Sequence, residues 1–376
     1  MKIAYVLDFF YPYIGGVQTL FFNLAKQMAK RGHEVSVLTS SCGSDKSFEI
    51  IDGINVYRFG KSRTDFLPLS LFDSHFRSKK FDLIHTSTYP SIIPSYFLSR
   101  LKKIPSILTV HEVWPLKLWT EVLGPKGIFY FLEERALLSF PFSRYTCPSN
   151  YTKEALASTG VDFNRIDVIP HGIDNVFSPD MKKYRKEIRS ELGLSDNSVV
   201  GYFIGRPGVS KGITYLLKAL LKVFNQTDLK FLFLVSKQPK DEYNRFLRLV
   251  NNSKLLSKNI LLVEPRKSHE FVAKLIGSSD FVVVPSLTEG FGFVAAEAVS
   301  SGVSAIVSSA GSLPDIVEDG VDGMHVAPRN IECLSNAIIK ITKSKELRRR
   351  LQGSRKKFST WGDVTKRYEK IYKNLC

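Results

Sequence analysis

Only four cysteines, at positions 42, 147, 333 and 376, occur in this 376-residue chain, and no two share a C-x-x-C or Cys/His spacing. That argues against a zinc-ribbon site and a disulfide-stapled scaffold, and leaves free thiols in a reducing compartment as the plain reading. Missing too is any apolar run of about 20 residues, so no segment is expected to span a bilayer. The longest weakly polar stretch, 291–310, is broken by Glu297, Gly302 and several serines. Near the N-terminus the apolar run 3–7 stops at Asp8, which is too short for a signal-peptide core. A soluble, cytoplasmic protein is the expectation.

Acidic residues are in short supply, 36 against 53 Lys and Arg, for a net charge of +17. The excess sits in patches at 77–80, 100–103, 348–350 and 355–357. An anionic partner follows in general terms: nucleic acid, a membrane surface or a phosphorylated substrate. No zinc-finger spacing and no aromatic RNP-type strand accompanies the patches, so nucleic acid is not expected. Solubilising faces would give the same composition.

What the chain does have is core material. Hydrophobic residues make up 44% and aromatics 12% of a chain long enough for two domains of roughly 150–200 residues each. Short apolar strands alternate with helical segments, the pattern of parallel-sheet α/β domains. Strands are expected at 3–7, 34–39, 55–59, 83–85, 106–110, 145–147 and 167–169. Helices fill the gaps, notably 17–31, with Leu20, Leu24, Gln27 and Met28 along one face and Gly32 closing it. The segment 169–174, Ile-Pro-His-Gly-Ile-Asp, breaks the periodicity and reads as a linker. A basic helix at 180–192 follows, and the alternation restarts. Strands are then expected at 199–204, 231–235, 260–263, 280–284 and 304–307. Helices are expected at 213–224, 242–250, 270–276, 312–317, 331–342, 346–353 and 361–375, with one more after strand 280–284. Two similar halves imply a cleft facing the C-terminal ends of both sheets.

Several loops could carry chemistry. After strand 280–284 the chain turns through Glu289, Gly290 and Gly292 into a helix holding Glu297. A strand feeding a glycine turn and a helix start gathers free N–H groups and the positive dipole end, which suits a phosphate. Glu297, one turn in, can reach a sugar hydroxyl beside it, so the loop suggests a sugar nucleotide. Arg206 and Lys211, in the run Gly205 to Gly212 after the second half's first strand, would offer a fork and a point charge to a diphosphate. This is not a Walker A loop, whose Lys-Ser/Thr spacing is missing. Two solvated cations would look the same. Gly15 and Gly16 lie between the first strand and first helix, as a phosphate loop or a plain tight turn. His111 follows strand 106–110, where an acid–base histidine and a satisfied structural one would look the same; His85, which ends another strand, carries a weaker claim. Glu289 and Glu297 match a glycosidase pair in composition only. Two aromatic, basic-interleaved stretches, 66–76 and 114–131, read either as bilayer-docking surfaces or as core-facing helices.

Together these residues resemble a family 4 glycosyltransferase of the GT-B fold, over the whole length of the chain. The marks are Gly15-Gly16, the linker I-P-H-G-I-D, G-R-x(4)-K-G from Gly205, and E-G-F-G-x(4)-E from Glu289 to Glu297. The resemblance implies two Rossmann-like parallel-sheet domains. Residues 1–170 would form the acceptor domain, with a C-terminal helix at 358–376 packed back onto it, and 171–357 the nucleotide-sugar domain. It implies that Glu297 holds the donor's ribose and Glu289 the hydroxyls of the donor sugar. Arg206 and Lys211 would neutralise the diphosphate, and the amides of Gly292, Phe293 and Val294 would complete the phosphate cradle. Gly16 would approach the donor from the first domain, and His111 would stand near the transferred sugar. Transfer would retain anomeric configuration, with no cofactor and no metal beyond the nucleotide-sugar donor itself. The chain has no D-x-D-like motif in a plausible place.

Departures are His171, where the family often has Asn, and Ser236-Lys-Gln-Pro and Glu264-Pro-Arg-Lys, where the family's loops differ. These leave the donor's base unread. The first forty residues resemble members that glycosylate lipid-linked acceptors, so the expected partners are a nucleotide sugar, a glycan or lipid-linked acceptor and an anionic membrane surface, on the cytoplasmic face. A sugar-nucleotide epimerase and a non-catalytic, sugar-nucleotide-binding subunit share the fold and stand as alternatives.

Overall fold

The computed structural model describes residues 1–13, 15–41, 44, 46–60, 79–87, 89–264, 268–352 and 356–376. The basic patches at 77–80 and 355–357, and Cys42, therefore lie partly or wholly outside the described residues, as does the aromatic stretch 66–76. The chain divides into two compact units: residues 1–120, 125–172 and 359–376, and residues 121–124 and 173–358.

Eight strands form the first unit's sheet among the described residues, in the order β3-β4-β2-β1-β5-β6-β7-β8. In chain order they are Lys2–Val6, Glu34–Ser40, Phe48–Ile51, Ile54–Phe59, Leu83–Thr86, Ser106–Thr109, Arg144–Cys147 and Ile166–Val168. All pairs are parallel except β3 with β4. That exception is a hairpin at Asp52-Gly53, both with positive φ, 50° and 82°. Asp-Gly suits such a turn because its mirror-image twist matches that of the flanking strands. The strand β3 is absent from the sequence expectation.

The C-terminal helix Trp361–Leu375 belongs to this unit. Thr360 and Asp363 form a capping box at its start. Trp361, Val364, Tyr368 and Tyr372 recur at helical spacing and are buried. The Tyr372 hydroxyl lies 2.5 Å from His85 Nδ1 and 3.3 Å from the Tyr5 hydroxyl. The other nitrogen of His85 lies 2.7 Å from Thr109 Oγ1, itself 2.6 Å from Thr146 Oγ1. A continuous polar chain thus runs through an otherwise apolar interior, which specifies the helix's seating.

The second unit is built on β9 to β14: Val200–Gly205, Lys230–Val235, Ile260–Leu262, Phe281–Val284, Ser304–Ser308 and Gly323–Val326. Their order is β11-β10-β9-β12-β13-β14, all parallel. Both faces are covered, so alternate residues feed separate cores. Phe231 and Phe233 of β10 pack with Leu216, Leu220 and Ile338, whereas Leu232 and Leu234 pack with Ile276 and Ala298. The expected basic helix at 180–192 is two pieces, a 3₁₀ segment Pro179–Tyr184 and a helix Arg185–Glu191. Arg189 is 1% exposed there, its guanidinium bonded to Asp280 and to four carbonyls. Strand β14 and the helix Lys254–Asn259 are also absent from the sequence expectation.

Candidate active site

In the second unit the strand order reverses between β9 and β12, which pair directly. Connections leaving the C-terminal ends of these two strands run in opposite directions, so a crevice opens there, the usual place for a ligand in a doubly wound sheet. Both glycine-bearing loops leave from these ends.

After β9, Arg206 is exposed and makes no ion pair with a described residue. A 3₁₀ turn, Val209–Lys211, leads to Gly212 with φ of 68°. A Cβ on Gly212 would stand 1.9 Å from the Pro285 carbonyl oxygen, so only glycine lets this loop touch the one after β12. The Leu287 N–H donates to the Ser210 carbonyl at 2.8 Å and joins the loops again.

Glu289 lies where they meet. Its Oε1 accepts from the Lys211 ammonium at 2.6 Å and from the Ser286 hydroxyl at 2.8 Å. Its carbonyl accepts from the N–H of Ser312 at 2.9 Å and from the hydroxyl at 3.2 Å. Ser286 is fixed in turn, its carbonyl accepting from the Ser308 hydroxyl. Lys211 is therefore a half-buried, paired ammonium and not the solvated cation of the alternative reading.

Gly292, in the left-handed conformation, begins the helix Phe293–Ser300 and supplies no side-chain cap. The helix's first N–H groups point out of its end with no carbonyl of the same helix to meet them. One turn on, half-buried Glu297 faces a different set of groups. Burial pushes its carboxyl up to about 8, offset by the charge of His269 and reinforced by that of Asp174. His269 Nδ1 lies 3.4 Å from Asp174 Oδ2. That bond raises the imidazole above its ordinary value, helped by Glu297, and holds the Asp174 carboxyl below its own. Tyr202, buried on β9, is held well above the usual phenol range by burial and then by Glu297.

The geometry gathers Lys211, Glu289, Gly292, Phe293 and Val294 around one turn and sets Glu297 on a neighbouring side beside Asp174 and His269. Arg206 stands apart. Sequence reading missed Ser286 and Ser312, which lock Glu289, and it missed His269. Asp174 was in view as the last residue of I-P-H-G-I-D, but nothing local tied it to a histidine 95 residues away.

The remaining expected residues lie in the first unit. Gly16 opens the helix Gly16–Lys30, which has no side-chain cap. Gly15 before it is extended, a conformation open to any residue. His111 Nε2 is 3.1 Å from the Ser87 hydroxyl, and its ring lies edge-on to Phe21. Burial lowers its pKa to about 4, which keeps it neutral at physiological pH. His85 is fully buried in the polar chain under the C-terminal helix, a structural role.

Two family models match the chain: Glycosyltransferase Family 4 over residues 14–176 and Glycosyl transferases group 1 over residues 184–358. An uncharacterised glycosyltransferase of Methanocaldococcus jannaschii is 27% identical, the match covering 99% of this chain and 98% of the relative. A UDP-Gal:alpha-D-GlcNAc-diphosphoundecaprenol alpha-1,3-galactosyltransferase of Escherichia coli is 27% identical, over 78% of this chain and 75% of its own. Among solved structures, sucrose-phosphate synthase from Thermosynechococcus elongatus superposes with a TM-score of 0.81 at 21% identity, covering 100% of this chain and 99% of that one. With both halves of the chain matched in order, and two doubly wound units carrying the marks, the protein belongs to glycosyltransferase family 4 and is a glycosyltransferase of the GT-B fold.

Proposed function

We propose that the protein transfers a sugar from a nucleoside diphosphate sugar to an acceptor hydroxyl with retention of anomeric configuration, and that the acceptor is a lipid-linked or membrane-surface glycan. The observation that carries the donor half is the Lys211–Glu289–Ser286 cluster at the crevice between β9 and β12, on the loop that leads into the helix holding Glu297. In this reading the diphosphate lies at the start of the helix Phe293–Ser300, against the amides of Gly292, Phe293 and Val294. Arg206 and Lys211 meet its charge, with no metal assigned. Glu297, protonated at neutral pH, both donates to and accepts from the ribose diol. Glu289, already fixed on four sides, orients hydroxyls of the sugar.

The bond from the anomeric carbon to the diphosphate oxygen breaks as positive charge builds on the sugar ring. Arg206, Lys211 and the helix start stabilise the departing oxygens in place before reaction begins. The acceptor oxygen bonds to the anomeric carbon on the face the diphosphate leaves, and its proton passes to a diphosphate oxygen. No protein nucleophile is needed. In the first unit, Gly16 opens its helix without a side-chain cap and the neutral imidazole of His111 is available as a hydrogen-bonding group. The lipid-linked acceptor is supported by the Escherichia coli relative, whose name specifies a diphosphoundecaprenol substrate, and by the basic composition of this chain.

The test is to incubate the protein with UDP, GDP and ADP sugars and a diphospho-polyprenol-linked sugar, and to follow the product's anomeric proton by NMR. A product with the donor's configuration is expected. An inverted product would refute the proposed chemistry.

A further inference from the structure

The helix Lys126–Leu138 buries Leu137 and Leu138 at its end but also buries a carboxylate and exposes large apolar side chains. Glu134, on its inward side, is 1% exposed. Its carboxylate accepts from the Tyr89 hydroxyl at 2.8 Å, the Trp114 N–H at 3.3 Å and the Trp119 indole at 3.4 Å. At Gly127 the helix comes so close to its neighbour that a Cβ would stand 2.2 Å from the Trp119 carbonyl oxygen. These contacts fix the rotation of the helix about its axis. Facing out instead are Ile128, Phe129 and Leu132, which are 50%, 67% and 59% exposed, with Ala136 beside them. At about 100° per residue these four fall within roughly 100° of arc, a continuous apolar stripe on the side where a surface helix is normally polar.

Exposed cations stand at the start of this helix and on the neighbouring one. Lys126 begins the helix and is exposed. The helix Ile92–Lys102 adjoins its far end, where Tyr96 packs edge-on against Phe140 with ring centroids 5.0 Å apart. That second helix holds no Asp or Glu and exposes Arg100 beside Phe97 and Leu101, 51% and 60% exposed, and exposed Lys103 follows its end. Against these cations the exposed surface of the two helices carries one carboxylate, Glu133.

We propose that this face of the first unit docks the enzyme on an anionic lipid bilayer, with Ile128, Phe129 and Leu132 in the headgroup–acyl boundary and Arg100, Lys103 and Lys126 on lipid phosphates. Exposed apolar side chains with cations on the same and the neighbouring helix are what a surface-seated helix needs. A second copy of this chain, with a net charge of +17, would bring its own cations to the contact and be repelled. The proposal gives the lipid-linked acceptor reading its route to substrate and rests on that reading for its purpose; the donor site is independent of it.

The full chain is sedimented with vesicles of phosphatidylcholine, alone and mixed with phosphatidylglycerol, at low and at physiological salt. Binding to the mixed vesicles, weakened by salt, is expected. Phe129→Ser with Leu132→Ser should reduce the bound fraction by about tenfold or more, as should Arg100→Glu with Lys103→Glu, with melting temperatures unchanged. Equal binding by both variants, or none by the wild type, overturns the docking. So does a wild-type dimer that the apolar variant makes monomeric, since a second copy would then own the face. Thermal stabilisation by nucleotide sugars, measured on the same samples, reports the donor site separately, so loss of either leaves the other readable.

Discussion

Lys211 and Glu289 are 78 residues apart in sequence and 2.6 Å apart in space. Because each is the other's counterion in a partly dry crevice, their removal should not be additive. A double-mutant cycle of Lys211→Ala and Glu289→Ala on the transfer rate should give a coupling of about 0.5–3 kcal/mol; additive losses would mean that they act separately. Glu297 permits a finer test, because its carboxyl is expected to be neutral at pH 7. Glu297→Gln should then keep donor affinity within about tenfold, whereas Glu297→Ala should lose about 2–3 kcal/mol, roughly a hundredfold in Kd. Equal losses, read by calorimetric titration, would show that the charge matters. At this scale the sequence made the glycines and carboxylates legible, since both types sit in loops where only special backbone or charge explains them. It could not show that Lys211 is paired, nor that His269 meets Asp174, because those contacts depend on which strands become neighbours.

The element scale shows the same division. Strand-and-helix alternation was legible nearly throughout, because buried parallel strands are short apolar runs and covering helices repeat at 3.6 residues. Strand β3 was missed although Asp52-Gly53 marks its turn, since its residues alternate weakly and half of them face solvent. The helix Lys126–Leu138 was ambiguous because its apolar residues point both ways, which periodicity alone cannot sort. Its outward stripe contradicts the core-facing reading for Ile128 and Phe129, and Tyr130, 43% exposed, does not face the core either. Loop architecture gives a stability prediction. Gly212→Ala combines a strained φ with a 1.9 Å approach to Pro285, so the β9 and β12 loops must part. A loss of about 2–4 kcal/mol in chemical denaturation is expected; a neutral result would show that the loops need not touch.

For the whole molecule, buried imidazoles set the response to acid. Burial lowers His85 to about 3 and His111 to about 4, and it lowers His171 as well. Unfolding exposes all three, and each then takes up a proton below its ordinary pKa of about 6.5. Stability is therefore retained above pH 6.5 and lost as pH falls from there towards 4, by at most about 1.4 kcal/mol per pH unit for each histidine. A melting temperature that falls steadily across that window is expected; a flat profile from pH 7 to 5 would mean that these histidines are not dry. The buried chain that His85 forms with Tyr372 and Tyr5 also couples the C-terminal helix to the first unit, so Tyr372→Phe should cost about 1–2 kcal/mol by the same measurement.

All of these roles depend on the second unit holding a nucleotide sugar, and one measurement addresses that directly. The melting temperature of the full chain is followed with UDP, GDP and ADP sugars, for the wild type and for Glu297→Ala. Stabilisation of the wild type by sugars of one base, lost in the variant, is the predicted result. No stabilisation by any of the three, or equal stabilisation of the variant, would contradict it.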